Sequence, residues 1–221
     1  GTFSREGRRE SHARRLSSAI PHSLITIPNS RPFTPMKSRK ALPTLESPRL
    51  RLRQIQVADI ADLFAIFSDP QTMRYWSHAP FADMAEAEAY LRNIDAGRIN
   101  GTHLQWGIAL REDDRVIGTT TLFSLNPRHH RAEIGYALAS AHWRRGIGGE
   151  ALTTALRHAF DALDCQRIEA DVDPRNTASC RLLEKLGFRL EGRLRERWHV
   201  EGEIQDSAIY GLLAREFVVP A

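Results

Sequence analysis

The 221 residues carry a formal charge of +4 and 42% apolar side chains, enough for one globular domain with a core and an appendage. No apolar run approaches the roughly eighteen residues of a membrane span, so none is predicted, and the two cysteines, Cys165 and Cys180, give no disulfide framework and fit a reduced, cytoplasmic setting. Charge is uneven: residues 1–40 hold nine Lys/Arg against Glu6 and Glu10, a net of +7, whereas the other 181 residues hold 22 basic and 25 acidic side chains, a net of −3.

Residues 1–44 read as a basic extension rich in Ser, Arg and Pro, expected to stay disordered, and residues 45–221 as the folded domain. The tail has traits of a transit peptide, and Arg8-Arg9 or Arg14-Arg15 of a twin-arginine signal, but its apolar patch from Ala19 to Ile27 is broken by Pro21 and His22. Met36 leaves open that residues 1–35 are leader or added sequence, and the tail is the one place where nucleic acid could bind. In the domain, Leu50, Leu52 and Gln54 alternate with Arg51 and Arg53 as an edge strand does. Val57, Ile60, Leu63, Phe64 and Phe67 then recur with helical period until Ser68-Asp69-Pro70, and Met84, Ala87, Leu91 and Ile94 mark a second helix ending near Gly97. Strands are predicted at Leu104 to Leu110, Val116 to Leu125 and Glu133 to Leu138. Leu152, Ala155, Leu156, Ala159, Phe160 and Leu163 form the buried stripe of a crossover helix, so the strand Arg167 to Val172 should run parallel to Glu133 to Leu138. Two last strands join at Glu201-Gly202.

The crossover helix begins at Trp143-Arg144-Arg145-Gly146-Ile147-Gly148-Gly149-Glu150. Free N–H groups at such a start can hold phosphate oxygens, and glycines let a diphosphate approach the main chain. Gly146, Gly148 and Ala151 also satisfy the dinucleotide pattern G-x-G-x-x-A, with Glu169 and Asp171 at about the spacing of a ribose contact. Against that reading, Ala139 to Arg145 separate the glycines from the preceding strand, and only one strand-helix repeat follows. A Walker A loop is excluded because Glu150 stands where Lys-Ser/Thr is required.

Around this turn lie Ala132-Glu133-Ile134-Gly135-Tyr136-Ala137-Leu138, Arg175-Asn176-Thr177-Ala178-Ser179, Leu182 to Phe188, Leu190 to Glu196, and Gly202, Asp206 and Tyr210. In this order and spacing, over Leu45 to Phe217, the chain resembles the GNAT acetyltransferases, and within them the RimJ/RimL type that acetylates N-terminal amines of ribosomal proteins. The resemblance implies an α/β (α+β) fold: a mixed, mostly antiparallel central sheet with a splayed parallel strand pair and helices on both faces. It implies acetyl-CoA as co-substrate and no metal. The pantetheine arm would bond the main chain at Tyr136, Ala137 and Leu138 and the Asn176 side chain, and the diphosphate would rest on Gly146, Ile147, Gly148 and Gly149. Arg144 or Arg145 would meet the ribose phosphate. Glu133 would be the general base through water, against a plain surface glutamate pairing with Arg131, and an N–H near Leu138 would stabilise the oxyanion. Ser179 would protonate the thiolate or contact the coenzyme, against an ordinary helix-start hydroxyl.

Two positions depart from the family pattern: Trp143 replaces Gln or Arg, and Leu183 replaces the tyrosine that often serves as general acid. Cys180 would permit an acyl-cysteine scheme, but Leu182, Leu183 and Leu186 point to packing, so direct attack in a ternary complex is favoured. Tyr75, Trp76, His78, Phe81 and Trp198 could line the acceptor slot, with Arg193, Arg195 and Asp206 at RimJ/RimL positions and Asp206 suited to an ammonium. Arg128-His129-His130-Arg131 lacks metal-ligand spacing and reads as a solvated turn. The expected activity is N-acetylation of a protein N-terminus, with a small amine (polyamine, amino acid or antibiotic), a catalytically degenerate coenzyme-A binder and a nucleotide-binding oxidoreductase as alternatives. A homodimer is compatible with the sequence.

Overall fold

The structure, a computed structural model, describes residues 41–200 and 202–219; the basic segment 1–40, with the readings placed on it, and Glu201 lie outside these. Strands β1 (Leu45–Glu46), β2 (Leu50–Arg53), β3 (Leu104–Leu110), β4 (Val116–Asn126), β5 (Arg131–Leu138), β6 (Arg167–Val172), β7 (Arg189–Val200) and β8 (Glu203–Leu213) form one sheet. Their order is β1-β2-β3-β4-β5-β6-β8-β7, and every neighbouring pair is antiparallel except β5 and β6. The helices are α1 (Ile60–Phe67), α2 (Pro70–Met73), α3 (Met84–Asn100), α4 (Ile147–Asp161) and α5 (Thr177–Lys185).

Side chains alternate across the strands, so the sheet feeds two cores. On one face α1 and α3 bury Leu63, Ile66, Phe67, Ala87, Leu91 and Ile94 against Ile55, Ala109 and Ala137. On the other, α4 and α5 bury Ala151, Leu152, Ala155, Leu156, Leu183 and Leu186 against Leu52, Trp106, Ile108 and Ile134. Trp106 is fully buried and its Nε1 donates to the Pro43 carbonyl at 2.8 Å, so the strap at Leu42 and Pro43, ahead of Leu45, is already part of the packing.

The second long helix does not end near Gly97. It runs to Asn100, and Gly101, at φ 71°, supplies the left-handed cap. Gly97 is a packing glycine: a Cβ there would lie 1.8 Å from the His103 ring, so its absence lets the chain entering β3 cross close to α3. The helix start is capped by Asp83, whose carboxylate accepts the Glu86 N–H at 3.1 Å.

The parallel pair is short. Arg131, Ala132 and Glu133 pair with Arg167, Ile168 and Glu169; beyond them β5 stays paired with β4 up to Leu138, and β6 with β8 up to Val172. The two middle strands therefore part after Glu133. The Ala139 N–H donates to Ile117 on the β4 side at 2.9 Å, while the His130 carbonyl accepts from Arg167 on the β6 side at 3.2 Å. By the alternation of a strand, the main-chain N–H and C=O groups of Ile134, Tyr136 and Leu138 face the gap.

Candidate active site

The gap has one carbonyl already taken. The indole Nε1 of Trp143 reaches back and donates to Leu138 O at 2.6 Å, tying the glycine loop to the end of β5. Arg144 and Arg145 follow, both exposed, and Gly146 begins α4 at φ 75° with no side-chain cap. The first helical N–H to find a partner is that of Glu150, on Gly146 O at 3.1 Å, so the N–H groups of Ile147, Gly148 and Gly149 have no partner within the helix. Three such donors at a helix start, flanked by two arginines, suit a diphosphate. Gly148 and Gly149 also let Leu182 of α5 come close, since a Cβ at Gly148 would sit 3.2 Å from its Cδ2.

A staple under this loop is invisible in the sequence. Glu150 accepts hydrogen bonds from the Arg49 backbone (2.8 Å), the Arg49 Nε (2.6 Å) and the Ser47 hydroxyl (2.8 Å), while Arg49 Nη1 donates to Arg145 O at 2.9 Å. Burial alone would push the Glu150 carboxyl up, but the hydrogen bonds from Arg49 and Ser47 outweigh it and hold it below the usual carboxylate range. With a lowered value in the folded state, the staple's stabilisation is complete above the ordinary glutamate range and is lost as pH falls through the lowered one. Melting temperature should therefore fall less steeply on acidification in Glu150→Gln than in the parent; equal slopes would show that the staple adds nothing.

Across the gap, Asn176 caps α5 by accepting the Ser179 N–H on its Oδ1 at 3.1 Å, leaving its amide hydrogens for another partner. The Ser179 hydroxyl meets the Tyr136 hydroxyl at 2.5 Å. Burial pushes the Tyr136 phenol up to about 12, against the opposing pull of that hydrogen bond. Leu183 is fully buried in the core, and Cys180 is half-buried against the same core.

Glu133 is the last paired residue before the strands part and is half-buried. Arg131, its expected partner if it were a plain surface glutamate, instead bonds Glu169 at 2.8 Å, and Glu133 makes no salt bridge among the described residues. The strand register puts Glu133, Glu169, Asp171, Gln205, Ser207 and Trp198 on the sheet face that carries α1 and α3. The α1–α3 cluster includes no residue of β6, β7 or β8; there α2 and the segment after it face Glu203 and Gln205 across a cavity. The face's other carboxylates are matched: Glu169 also bonds Arg167 (2.8 Å), Asp171 bonds Arg197 (3.1 Å), and Glu203 bonds Arg175.

The expected acceptor residues divide between the two faces. Trp76 packs edge-on against Phe67, with centroids 5.4 Å apart, and lines a cavity of about 300 Å³ with Met73, Arg74, His78, Glu203 and Gln205. Tyr75 lies under the guanidinium groups of Arg74 (5.2 Å) and Arg175 (5.9 Å), so Arg175, one residue before the α5 cap, joins the aromatic segment to the β7–β8 hairpin. Trp198 donates to Ser207 Oγ at 3.0 Å on the Glu133 face. Arg193 and Asp206 fall on the opposite face, with Ala208, and the Asp206 carboxylate accepts the Glu196 N–H at 2.9 Å, holding a bulge in β7. His130, in the polar turn, bonds the Asp164 carbonyl at 3.1 Å. Among the described residues no His/Cys/Asp/Glu cluster could hold a metal, and no helix is long and apolar enough to cross a membrane.

The chain is similar to several known proteins. A family profile described as an acetyltransferase (GNAT) domain matches residues 49–189. An "uncharacterized N-acetyltransferase p20" of Bacillus licheniformis is 36% identical over 79% of this chain and 98% of its own length. A spermidine N(1)-acetyltransferase of Vibrio cholerae is 25% identical over 72% of this chain and 89% of its own. Among solved structures, Mycobacterium smegmatis RimJ in complex with CoA-disulfide is 27% identical, with a TM-score of 0.69 over 79% of this chain and 88% of that one. Because the matched stretch takes in both strands that part and the helix that starts on glycine, the chain belongs to the GNAT family and is an acetyl-CoA-dependent N-acetyltransferase.

Proposed function

We propose that the acceptor is a protein N-terminal α-amine, attacked directly in a ternary complex with acetyl-CoA. The observation that carries this reading is the charge balance on the sheet face of Glu133: Glu169, Asp171 and Glu203 are each matched by arginine, whereas Glu133 makes no ion pair among the described residues. One uncompensated carboxylate suits an acceptor with one ammonium better than a polyamine with several. An α-amine, with a pKa of about 7.7–8.0, also needs less help to lose its proton than a lysine-like amine at about 10.4.

In this reading the N–H groups of Ile147, Gly148 and Gly149 hold the diphosphate, Arg144 or Arg145 meets the ribose phosphate, and the pantetheine arm bonds Tyr136 and Leu138 through the main chain and Asn176 through its side chain. Trp143 occupies Leu138 O, so Leu138 contributes its N–H, which faces the gap and is placed to receive the carbonyl oxygen as it becomes negative. Glu133 takes the acceptor's proton through water. Tyr75, Trp76 and Trp198 form the acceptor wall, while Arg193 and Asp206, on the far face, would act on a longer peptide or on the shape of the hairpin. The ribosomal and cytoplasmic setting belongs to this same reading, for which the RimJ likeness is the support. Mass spectrometry of a panel of peptides, spermidine and amino acids incubated with enzyme and acetyl-CoA tests it. Acetyl groups on peptide α-amines, at a higher kcat/KM than on spermidine, are expected; faster spermidine acetylation would overturn the acceptor assignment.

A further inference from the structure

We infer that Arg175 is a specificity-determining residue for the acceptor: it neutralises Glu203 in the cavity beside the site and so disfavours acceptors that carry a second ammonium, as a polyamine does. This deepens the acceptor reading above and rests on the acceptor lying on the Glu133 face. The cavity has two walls, Met73, Arg74, Trp76 and His78 on one side and Glu203 and Gln205 of β8 on the other. It lies beside the parted strands. Asp173 follows directly on Val172, where β6 ends, and Gln205 is three residues before the Ala208 that pairs with Val172, about 10 Å along the strand. An extended acceptor whose amine sits at the gap can therefore reach Glu203 with its far end.

Both oxygens of Glu203 are engaged: Oε1 accepts from Arg175 Nη1, and Oε2 accepts from the Gln205 amide at 3.3 Å. Arg175 is itself anchored by a second carboxylate, since its Nε and Nη2 donate to Asp173 at 3.0 and 2.5 Å, and the Asp173 side chain is only 4% exposed. The Tyr75 ring lies 5.9 Å from the same guanidinium, so the planar fork of arginine joins both sides of the cavity at once. Arg74 also lines the cavity and makes no ion pair among the described residues, so the two arginines balance Asp173 and Glu203. Without Arg175 this group is one unit negative and Glu203 Oε1 becomes a partner for a protonated amine. An ion pair as exposed as Arg175 with Glu203 adds little to folding, so its consequence lies in what the cavity attracts.

Competition between spermidine and a peptide α-amine, with the full chain and acetyl-CoA at low salt, tests it. Arg175→Gln should raise kcat/KM for spermidine relative to the peptide about 2- to 10-fold, and the gain should shrink as salt screens the cavity. Arg175→Lys, which keeps the charge, should stay near the parent ratio. Adding Glu203→Gln to Arg175→Gln should remove the gain. Equal losses for both acceptors in Arg175→Gln would show that Arg175 only supports the fold, and a gain that survives without Glu203 would likewise overturn the inference. Because Arg175→Gln leaves the buried Asp173 without its arginine, Arg74→Glu is the independent variant. It adds negative charge to the cavity from an exposed position and should move the ratio the same way; an unchanged ratio there would also overturn the inference. A parent that prefers spermidine sinks the α-amine assignment, whereas the role of Arg175 stands or falls on the change in ratio.

Discussion

Glu133→Gln is expected to lower kcat/KM for the amine about 10²- to 10⁴-fold while acetyl-CoA binds as before, the range typical of a lost general base. Glutamine keeps the size of the side chain and its hydrogen-bonding reach but cannot take a proton. Because Glu133 makes no salt bridge among the described residues, the exchange breaks no ion pair and should leave the melting temperature nearly unchanged. The loss should be deepest at low pH and should narrow as pH rises through the acceptor's own pKa, where free amine accumulates without help. Steady-state kinetics across pH, with calorimetric titration of acetyl-CoA, measure both parts; a uniform loss at every pH, or a matching loss of acetyl-CoA affinity, would mean that Glu133 organises the site and is not the base.

The second large effect concerns the glycine loop. Gly146 sits at φ 75°, a region closed to β-branched residues, and it sets the direction in which the N–H groups of Ile147, Gly148 and Gly149 point. Gly146→Val must leave that conformation and swing the loop. Each charge-assisted hydrogen bond to the diphosphate that is lost should weaken acetyl-CoA binding about 10- to 100-fold. Some stability is lost as well, so the comparison that matters is with Glu150→Gln, which loosens the support of the same loop and leaves the glycine in place. If Gly146→Val binds acetyl-CoA as the parent does, the diphosphate does not rest on this helix start.

Much of this was legible in the residues. The stripe Leu152, Ala155, Leu156, Ala159 fixed the crossover helix, and the crossover in turn made β5 and β6 parallel. What escaped depended on distance or parity. Glu150 finds Arg49 across 101 positions and Ser179 finds Tyr136 across 43, separations at which no local pattern exists. The end of α3 was misplaced because Gly97 and Gly101 are equally plausible stops in a sequence, and only packing against His103 separates them. Arg131 and Glu133 share a strand face and read as partners, but the parallel register brings Glu169 within reach of Arg131. The acceptor residues scatter because the pairing with β8 decides which side of the sheet each takes: the register shift between Leu190 and Gly192 flips the faces of the residues after it, and Trp198 then shares a face with Glu133 while Arg193, five positions away, does not. The two-residue β1 has no period to detect.

The central claim is that the parted strands and the glycine-started helix together hold the coenzyme, and amide hydrogen exchange followed by NMR tests it residue by residue. On saturation with acetyl-CoA, the amides of Tyr136 and Leu138, which face the gap, and of Ile147, Gly148 and Gly149 should become protected, while that of Ala137, already directed toward β4, should change little. Protection that appears elsewhere and leaves these five amides exchanging as in the free protein would contradict it.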